Sequence, residues 1–535
     1  MSLPRIHGGR RKAILRRLVA NGVAQASLAF AIAWLLRGAL GSSGGDAPDV
    51  LLLGALVGAS AAAVGLRVVE AADAERLGQE YVTRVRLRIF ERIAARPEQP
   101  TGPGRYGLTM TRLISDLGSL KNWVSLGIAR ALVASITLAG LIAALAHVDA
   151  SLAAAGAGVV LLAAGGAALF TAPLRSRVRE ARRRRGRLAN NLGEKVFAYR
   201  TVRHFGRTDR ELRRVGGQSR RLRDALVSRM RLSQALRSLP DLGLPLGAGA
   251  VVWLSTTRAA GDWTLADGAA AILLLGLLVA ALRDLVRAWD YRLSFEEGYR
   301  RIATLLEGPR LSERRDAEEL DGEGPVALSL RKVRVGDALR RLSVEAAPGE
   351  RVLVTGPSGS GKSLVMALAA RLLDPDAGRV RIDGRPLPRL SLDSVHDTVK
   401  LVAPELPLLR GTLGENLAYG AADDEDAAAE AAALCGLLDE PSLPDGLDSR
   451  IEEAGQNLPR GVRARVALAR AVAARPRLLL VDDPAFSTDA DARAALARTI
   501  DGLPATVLVT ANEGATPIQA TRVWDLGASA CAGAA

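Results

Sequence analysis

The sequence predicts an all-α transmembrane domain of six spans followed by an α/β domain of the P-loop type. Three observations carry this fold class. Uncharged apolar runs recur through the first three hundred residues, joined by connections that alternate between short and very long. Arginine crowds the long connections and is nearly absent from the short ones. From Val326 onward the pattern changes to alternating strands and helices, with one glycine-rich turn, Gly356-Pro357-Ser358-Gly359-Ser360-Gly361-Lys362-Ser363. The boundaries that follow are 1–307 for the membrane domain, 308–324 for a linker ending Gly322-Glu323-Gly324-Pro325, and 325–535 for the second domain.

Totals narrow the possibilities before any element is placed. A chain of 535 residues is long enough for more than one domain. Cys435 and Cys531 are the only cysteines, so there is neither a disulfide framework nor a C-x-x-C metal spacing, as suits a reducing cytosol. The formal charge is +15, nearly all of the excess being arginine. Such a balance fits nucleic acid, an anionic membrane surface or cytosolic loops, and position decides among them. Aromatic residues make up 4% of the chain, which argues against a base-stacking surface. The first apolar run is followed by Arg37 and further apolar runs rather than by a cleavage site, so no cleavable signal is expected.

The spans come in order. A basic N-terminus (Arg5, Arg10, Arg11, Lys12, Arg16, Arg17) leads into Leu18–Leu36, and Val50–Leu66 follows a short loop holding Asp46 and Asp49. Ala131–Ala146 and Ser151–Leu174 form a hairpin separated only by His147, Val148, Asp149 and Ala150. The fifth run, Leu242–Thr257, is the weakest, with Pro240, Asp241 and Pro245 at its start; the sixth, Leu265–Leu282, is apolar except for Asp267. The N-terminus and segments 72–122 and 175–238 are strongly basic, whereas 41–49, 147–150 and 258–264 hold one arginine between them. The positive-inside rule then puts both termini in the cytosol, with six crossings of the lipid bilayer of a cytoplasmic (inner) membrane. Arg182 to Arg185 are read accordingly as a solvated or headgroup-facing helical face, and no nucleic acid is expected as a partner.

The two long basic segments have helical spacing, as in Tyr81, Val85, Ile89 and Ile93. About 25 helical residues extend roughly 38 Å, so two antiparallel pairs reach well below the bilayer. Their turns are expected near Pro97–Arg105 and Phe205–Thr208. Spans rich in alanine, glycine and leucine suit close helix packing. Asn21 and Gln25, spaced i, i+4, share a face of the first span, as polar glue between helices or as cavity lining.

The turn at Gly356–Ser363 fits G-x-x-x-x-G-K-[ST], set between the apolar strand Arg351–Thr355 and a helix beginning at Leu364. That setting separates it from a glycine-rich turn that binds nothing. Glycines let successive backbone N–H groups curl around phosphates, and the helix N-terminus adds its positive dipole end. Lys362 is placed to reach the β- and γ-phosphates, and Ser363 to ligate Mg²⁺. Downstream, Leu478-Leu479-Leu480-Val481-Asp482-Asp483 is a buried-strand run ending in carboxylates; behind a phosphate loop it reads as the second nucleotide motif, Asp482 holding Mg²⁺ through water.

With these motifs in place, nearly the whole chain resembles an ABC exporter half-transporter. Gly411-Thr412-Leu413 with Glu415-Asn416-Leu417, Ala467-Leu468-Ala469-Arg470-Ala471, and the segment Glu194 to Gly206 are similar to family segments. The resemblance implies a dimer of two halves that sandwiches two ATP molecules; binding closes it and hydrolysis reopens it while the membrane cavity switches sides.

The resemblance also shows where this chain departs. The family's signature L-S-G-G-Q stands as Leu458-Pro459-Arg460-Gly461-Val462. Pro459 has neither N–H nor hydroxyl, and Arg460 is bulky where a phosphate held by the opposite subunit must approach. The family's catalytic glutamate is Asp483, whose carboxylate is withdrawn by about 1.5 Å, and a 1 Å misplacement can cost on the order of 100-fold. Its water-sensing glutamine aligns with Pro404 and its γ-phosphate histidine with Ala511; neither donates a side-chain hydrogen bond. The adenine-stacking aromatic is absent from Val333-Arg334-Val335-Gly336-Asp337, a loss of about 1–3 kcal/mol. Asp489 alone survives of the D-loop, within Phe486-Ser487-Thr488-Asp489.

The expected function is therefore an ATP-driven exporter subunit that binds Mg-ATP but hydrolyses it weakly or not at all, paired with a different half-transporter. The alternative is a membrane pseudoenzyme that binds nucleotide or a partner without transporting. Six apolar spans leave no role for an ATPase acting on DNA. The transported substrate has no contiguous motif, because cavity walls are assembled from separated side chains.

Overall fold

The computed structural model describes residues 10–41, 50–97, 117–257, 263–307, 310–311, 316–421, 424–512 and 518–527. Two compact units divide the chain, one made of residues 1–94 and 104–308, the other of residues 95–103 and 309–535. Each is built by its own rules.

The first unit is helical: α1 (Arg10–Gly41), α2 (Val50–Ala94), α3 (Leu117–Val148, π-helical over Trp123–Ala129), α4 (Ala150–Phe197), α5 (Tyr199–His204), α6 (Thr208–Arg237), α7 (Gly243–Thr257) and α8 (Leu265–Glu307). Among the described residues, five helices are long and apolar enough to cross a membrane: α1, α2, α3, α4 and α8. The expected fifth span is the difference. Expected over Leu242–Thr257, it forms α7, which begins one residue later behind a 3-10 turn at Leu239–Leu242 and, at 15 residues, is not among those five. The expected first cytosolic turn, near Pro97–Arg105, lies almost entirely outside the described residues. The second is present: α5 is a short helix, and Gly206, at φ +62°, closes the turn into α6.

At 45 and 48 residues, α2 and α4 extend about 68 and 72 Å, more than twice the roughly 30 Å hydrocarbon core. Their ends are fixed by local chemistry. The expected hairpin loop shrinks to Asp149, whose carboxylate caps α4 by accepting from Ser151 N at 2.7 Å. Asp267, the one charge in the last span, forms a capping box with Thr264, accepting from its N at 3.0 Å, and pairs with Arg37 at 2.7 Å. Small residues do bring helices close: a Cβ on Gly140 of α3 would stand 2.7 Å from Ala26 Cβ of α1. The arginine run of α4 divides. Arg175 and Arg179 pair with Glu296 and Glu297 of α8, while Arg183, Arg185 and Arg187 point outward, exposed. Asp290 of α8, 2% exposed, accepts from Ser233 at 2.8 Å and from Arg237 at 2.5 Å.

The second unit is α/β. A five-stranded parallel sheet runs in the order β11 (Arg522–Asp525), β3 (Arg351–Thr355), β10 (Thr506–Thr510), β9 (Leu478–Val481), β6 (Val399–Val402). Covered on both faces, β9 and β10 are buried at every residue: β9 is wholly apolar, and the threonines that end β10 donate their hydroxyls to Val326 O and Asp482. An antiparallel sheet holds β2 (Leu339–Ala346), β1 (Leu328–Val335), β4 (Ala377–Ile382) and β5 (Arg385–Pro386). The aromatic-free segment belongs to β1 and its turn, with Val333 and Val335 in the core. Helices α9 (Lys362–Ala369), α11 (Leu413–Ala421), α12 (Glu425–Leu434), α13 (Arg460–Ala473) and α15 (Ala490–Gly502) complete it, with two short helices, α10 (Leu392–Thr398) and α14 (Ala485–Thr488). Cys435 is fully buried against Thr499, and burial pushes its thiol up to about 11. Part of the segment assigned above to the linker is fastened here: Glu318 N donates to Arg389 O at 2.8 Å and Leu320 N to Ser394 Oγ at 2.7 Å.

Candidate nucleotide site

Parallel strands carry functional loops at their C-terminal edge, and here three neighbours do so together. β3 delivers Gly356–Ser363, β9 delivers Asp482 and Asp483, and β10 lies between them, ending at Thr510 and Ala511. With adjacent strands about 4.8 Å apart, the phosphate loop and the carboxylates stand roughly 10 Å apart across β10.

The loop has the conformation its glycines require. Gly356, Gly359 and Gly361 adopt φ of +143°, +88° and +96°. A Cβ on Gly356 would stand 2.8 Å from Ser360 Oγ, and one on Gly361 would stand 2.6 Å from Leu339 Cδ2, so side chains would fill the cradle. Lys362 arches over the loop, donating to the carbonyls of Gly356 at 2.6 Å and Pro357 at 3.2 Å. Ser360 Oγ is buried without a hydrogen-bond partner among the described residues, an acceptor-hungry hydroxyl inside an anion-sized cradle. Pro357, Ser358, Gly359 and Ser363 are exposed at its mouth. These residues fit a polyphosphate.

Asp482 is half-buried, and its Oδ1 accepts from Thr510 Oγ1 at 2.6 Å. Asp483 behaves differently. Its Oδ1 accepts from Ala485 N at 2.8 Å, tying the carboxylate to its own backbone two residues on, as a short aspartate does readily and a glutamate less so. Ala511 is buried, its N donating to Val354 O at 3.0 Å, and Pro404 sits exposed in the turn after β6. Neither offers a side-chain donor.

The expected signature residues open α13. Leu458 is buried, Pro459 occupies the N-cap without a side-chain cap bond, Arg460 is exposed, and Gly461 and Val462 are buried. A Cβ on Gly461 would overlap the Asp489 carboxylate, which caps α15 by accepting from Ala492 N at 2.9 Å. Glycine is kept here for packing. Arg460 Nη2 lies 4.0 Å from Asp483 Oδ1 of the same chain, a contact no motif foretold.

Other functional positions also lacked a stated role in the sequence reading. Thr510 orients Asp482. Asn416, 1% exposed, clamps the preceding loop: Leu409 N donates to its Oδ1 at 2.8 Å, and its Nδ2 donates to Leu409 O at 2.9 Å and Thr412 O at 3.0 Å. Thr412 and Glu415 form the capping box of α11, and T-x-x-E spacing is the signal for it. Arg470 donates to the carbonyls of Leu406 and Pro407, holding the loop after Pro404, and burial lowers its pKa.

A helical unit with membrane-length helices, followed by a phosphate loop and a strand-end aspartate on one parallel sheet, defines a membrane-embedded nucleotide-binding protein. The family is equally plain: the model described as ABC transporter matches residues 339–486, the one described as ABC transporter transmembrane region matches 18–282, and the chain belongs to the ABC transporters as an exporter-type half-transporter. It is 33% identical over 307 residues to a multidrug efflux ATP-binding/permease protein of Mycobacterium tuberculosis, a match taking in 55% of this chain and 25% of that protein. The chain thus spans about a quarter of that relative's length. An ATP-dependent lipid A-core flippase of Thiobacillus denitrificans is 26% identical over 462 residues, 84% of this chain and 79% of the flippase. The solved structure of a bacterial Atm1-family ABC exporter with ATP bound matches with a TM-score of 0.80 over 93% of this chain and 92% of that one, at 23% identity, a likeness of fold.

Proposed function

We propose that this chain is one half of an exporter dimer whose own nucleotide site captures Mg-ATP but cleaves it weakly or not at all. The observation that carries this is the contrast within one site. The Gly356–Ser363 cradle keeps its shape and its lysine, while Asp483 is tied back to Ala485 N and Pro404 and Ala511 present no side-chain donor. Bound Mg-ATP would supply the anhydride whose cleavage drives the cycle. Loop amides, Ser360 and Lys362 would hold its phosphates, with Ser363 and Asp482 on the magnesium side. Thr510 keeps Asp482 oriented for that role.

The chain in this reading spans a cytoplasmic membrane with both termini in the cytosol and works beside a second, non-identical half-transporter. Its domain boundaries are 1–307, 308–324 and 325–535. Losses fall in both motifs that the family's dimer brings to a shared nucleotide, Pro459 and Arg460 in one and Asp483 in the other. The in-chain approach of Arg460 to Asp483 favours the second reading, a nucleotide-binding regulator without transport.

Turnover of the purified chain alone is expected to stay at background, with weak but measurable Mg-ATP binding that Lys362→Ala lowers by about 10- to 100-fold, the worth of a charged hydrogen-bonding group. Robust turnover abolished by Lys362→Ala refutes the silenced site. Flat calorimetry at millimolar ATP refutes the capture.

A further inference from the structure

A cavity of about 340 Å³ opens in the membrane unit where apolar helix stretches give way to charged ones. Arg67 is the first charge after the apolar run of α2, Arg130 the last before that of α3, and Arg283 and Asp284 the first after that of α8. All line this cavity, with Gln25 of α1, Glu70 and Arg287. Ala29, Ile32, Ala63 and Leu277 supply its apolar wall.

Its charges do not cancel. Arg287 is paired with Asp284 at 3.2 Å, and Arg283 with Asp241 at 2.5 Å. Glu70 accepts from Gln25 Nε2 at 2.8 Å, and Gln25 in turn donates to Asn21 Oδ1 at 2.7 Å, while Asn21 Nδ2 donates to Leu66 O. Asn21 is therefore glue between α1 and α2, and Gln25 passes that anchoring into the cavity wall. Arg67 and Arg130 make no hydrogen bond or close ion pair among the described residues, and both share Glu70 as an electrostatic partner. Two guanidiniums stand against one carboxylate, an excess of one positive charge beside an apolar wall.

An excess of guanidinium over carboxylate at the border of the hydrocarbon calls for an anion, and the planar fork of arginine grips acidic oxygens two at a time. The geometry points to a singly charged anionic amphiphile as the occupant: its acidic head between Arg67 and Arg130, its chain along Ala29, Ile32 and Leu277. Glu70 disfavours heads with two negative charges. This names the substrate class and rests on the exporter reading.

The test is lipid binding by the purified full-length protein in a neutral maltoside detergent without nucleotide, read by native mass spectrometry. Lysophosphatidylglycerol, singly anionic, is expected to bind at least tenfold more tightly than lysophosphatidylcholine, which shares its phosphodiester but is zwitterionic. Arg67→Gln and Arg130→Gln are each expected to weaken it about tenfold, and Glu70→Gln to strengthen it several-fold, with unfolding midpoints confirming that the variants fold. Equal binding of the two lipids overturns the proposal. So does a preference that survives the double arginine substitution, which would trace to surface arginines such as Arg183. Glycerophosphoglycerol, the head without its chain, binding as tightly as the lipid would mark a soluble phosphate-ester site and overturn it too. Protein that binds Mg-ATP yet shows no lipid preference sinks this inference while leaving the exporter reading intact.

Discussion

The nucleotide unit contains two glycine-bearing turns that open helices, and they have fared differently. At Gly356–Ser363 three glycines keep left-handed geometry, the lysine lies across the loop, and a buried hydroxyl waits for an acceptor. At Leu458–Val462 a proline and an arginine occupy the exposed start of α13, and the remaining glycine is committed to Asp489. One turn keeps a cradle that suits an anion; the other is shaped around its own neighbours. Capture and cleavage of a nucleotide draw on different residues, so one can be kept while the other is lost.

The strongest way to break the comparison is to rebuild the second side. A chain carrying Pro459→Ser, Arg460→Gly, Asp483→Glu and Ala511→His together is expected to gain at least about 100-fold in ATP turnover, since a single donor to developing charge is worth 10²–10³. Asp483→Glu alone should gain far less, because groups that act as a unit are not additive. Steady-state phosphate release on matched preparations decides. No gain in the rebuilt chain would mean that the dimer, not these side chains, sets the rate.

A smaller effect sharpens the same contrast. Gly461→Ala is expected to lower the stability of the nucleotide unit by about 1–3 kcal/mol, the usual cost of overpacking, with Mg-ATP affinity unchanged. Thermal unfolding and calorimetry on one sample separate the two. A fall in affinity without a fall in stability would show that this glycine still serves a phosphate.

Legibility followed the range of the interactions. The phosphate loop, Asp482 and the membrane runs were legible because each depends on contiguous residues: glycine at fixed spacing, a strand ending in a carboxylate, apolar length. The bounds of α7 were legible to within one residue, but at 15 residues the helix is shorter than the other apolar ones, because its run is brief and opens on a proline-bearing 3-10 turn. Pro404, Ala511, Pro459 and Arg460 could be found only as departures from a family pattern. The cavity charges were not legible at all. Arg67, Glu70, Arg130 and Asp284 are spread over more than two hundred residues, and only helix packing brings them to one wall. Asp483 and Arg460 met for the same reason.

That last meeting supports the smallest prediction. Arg460 is 63% exposed and 4.0 Å from Asp483, so solvent screens the pair, and its worth is at most about 1 kcal/mol. If Arg460 acts on Asp483 within its own chain, Arg460→Ala frees the carboxylate and raises residual turnover by no more than about fivefold, with Mg-ATP affinity unmoved. If it instead reaches a phosphate held by the partner subunit, as the position of the family's signature implies, the same change lowers affinity in the assembled dimer and does nothing to the isolated chain. Arg460→Lys discriminates further, since a shorter cation should keep a partner's phosphate but release Asp483. Turnover and affinity measured on both preparations assign the arginine to one side or the other. An arginine that holds its own carboxylate would make the proposed silencing of this site partly an active restraint, and one that faces the partner would make it a loss repaired in trans.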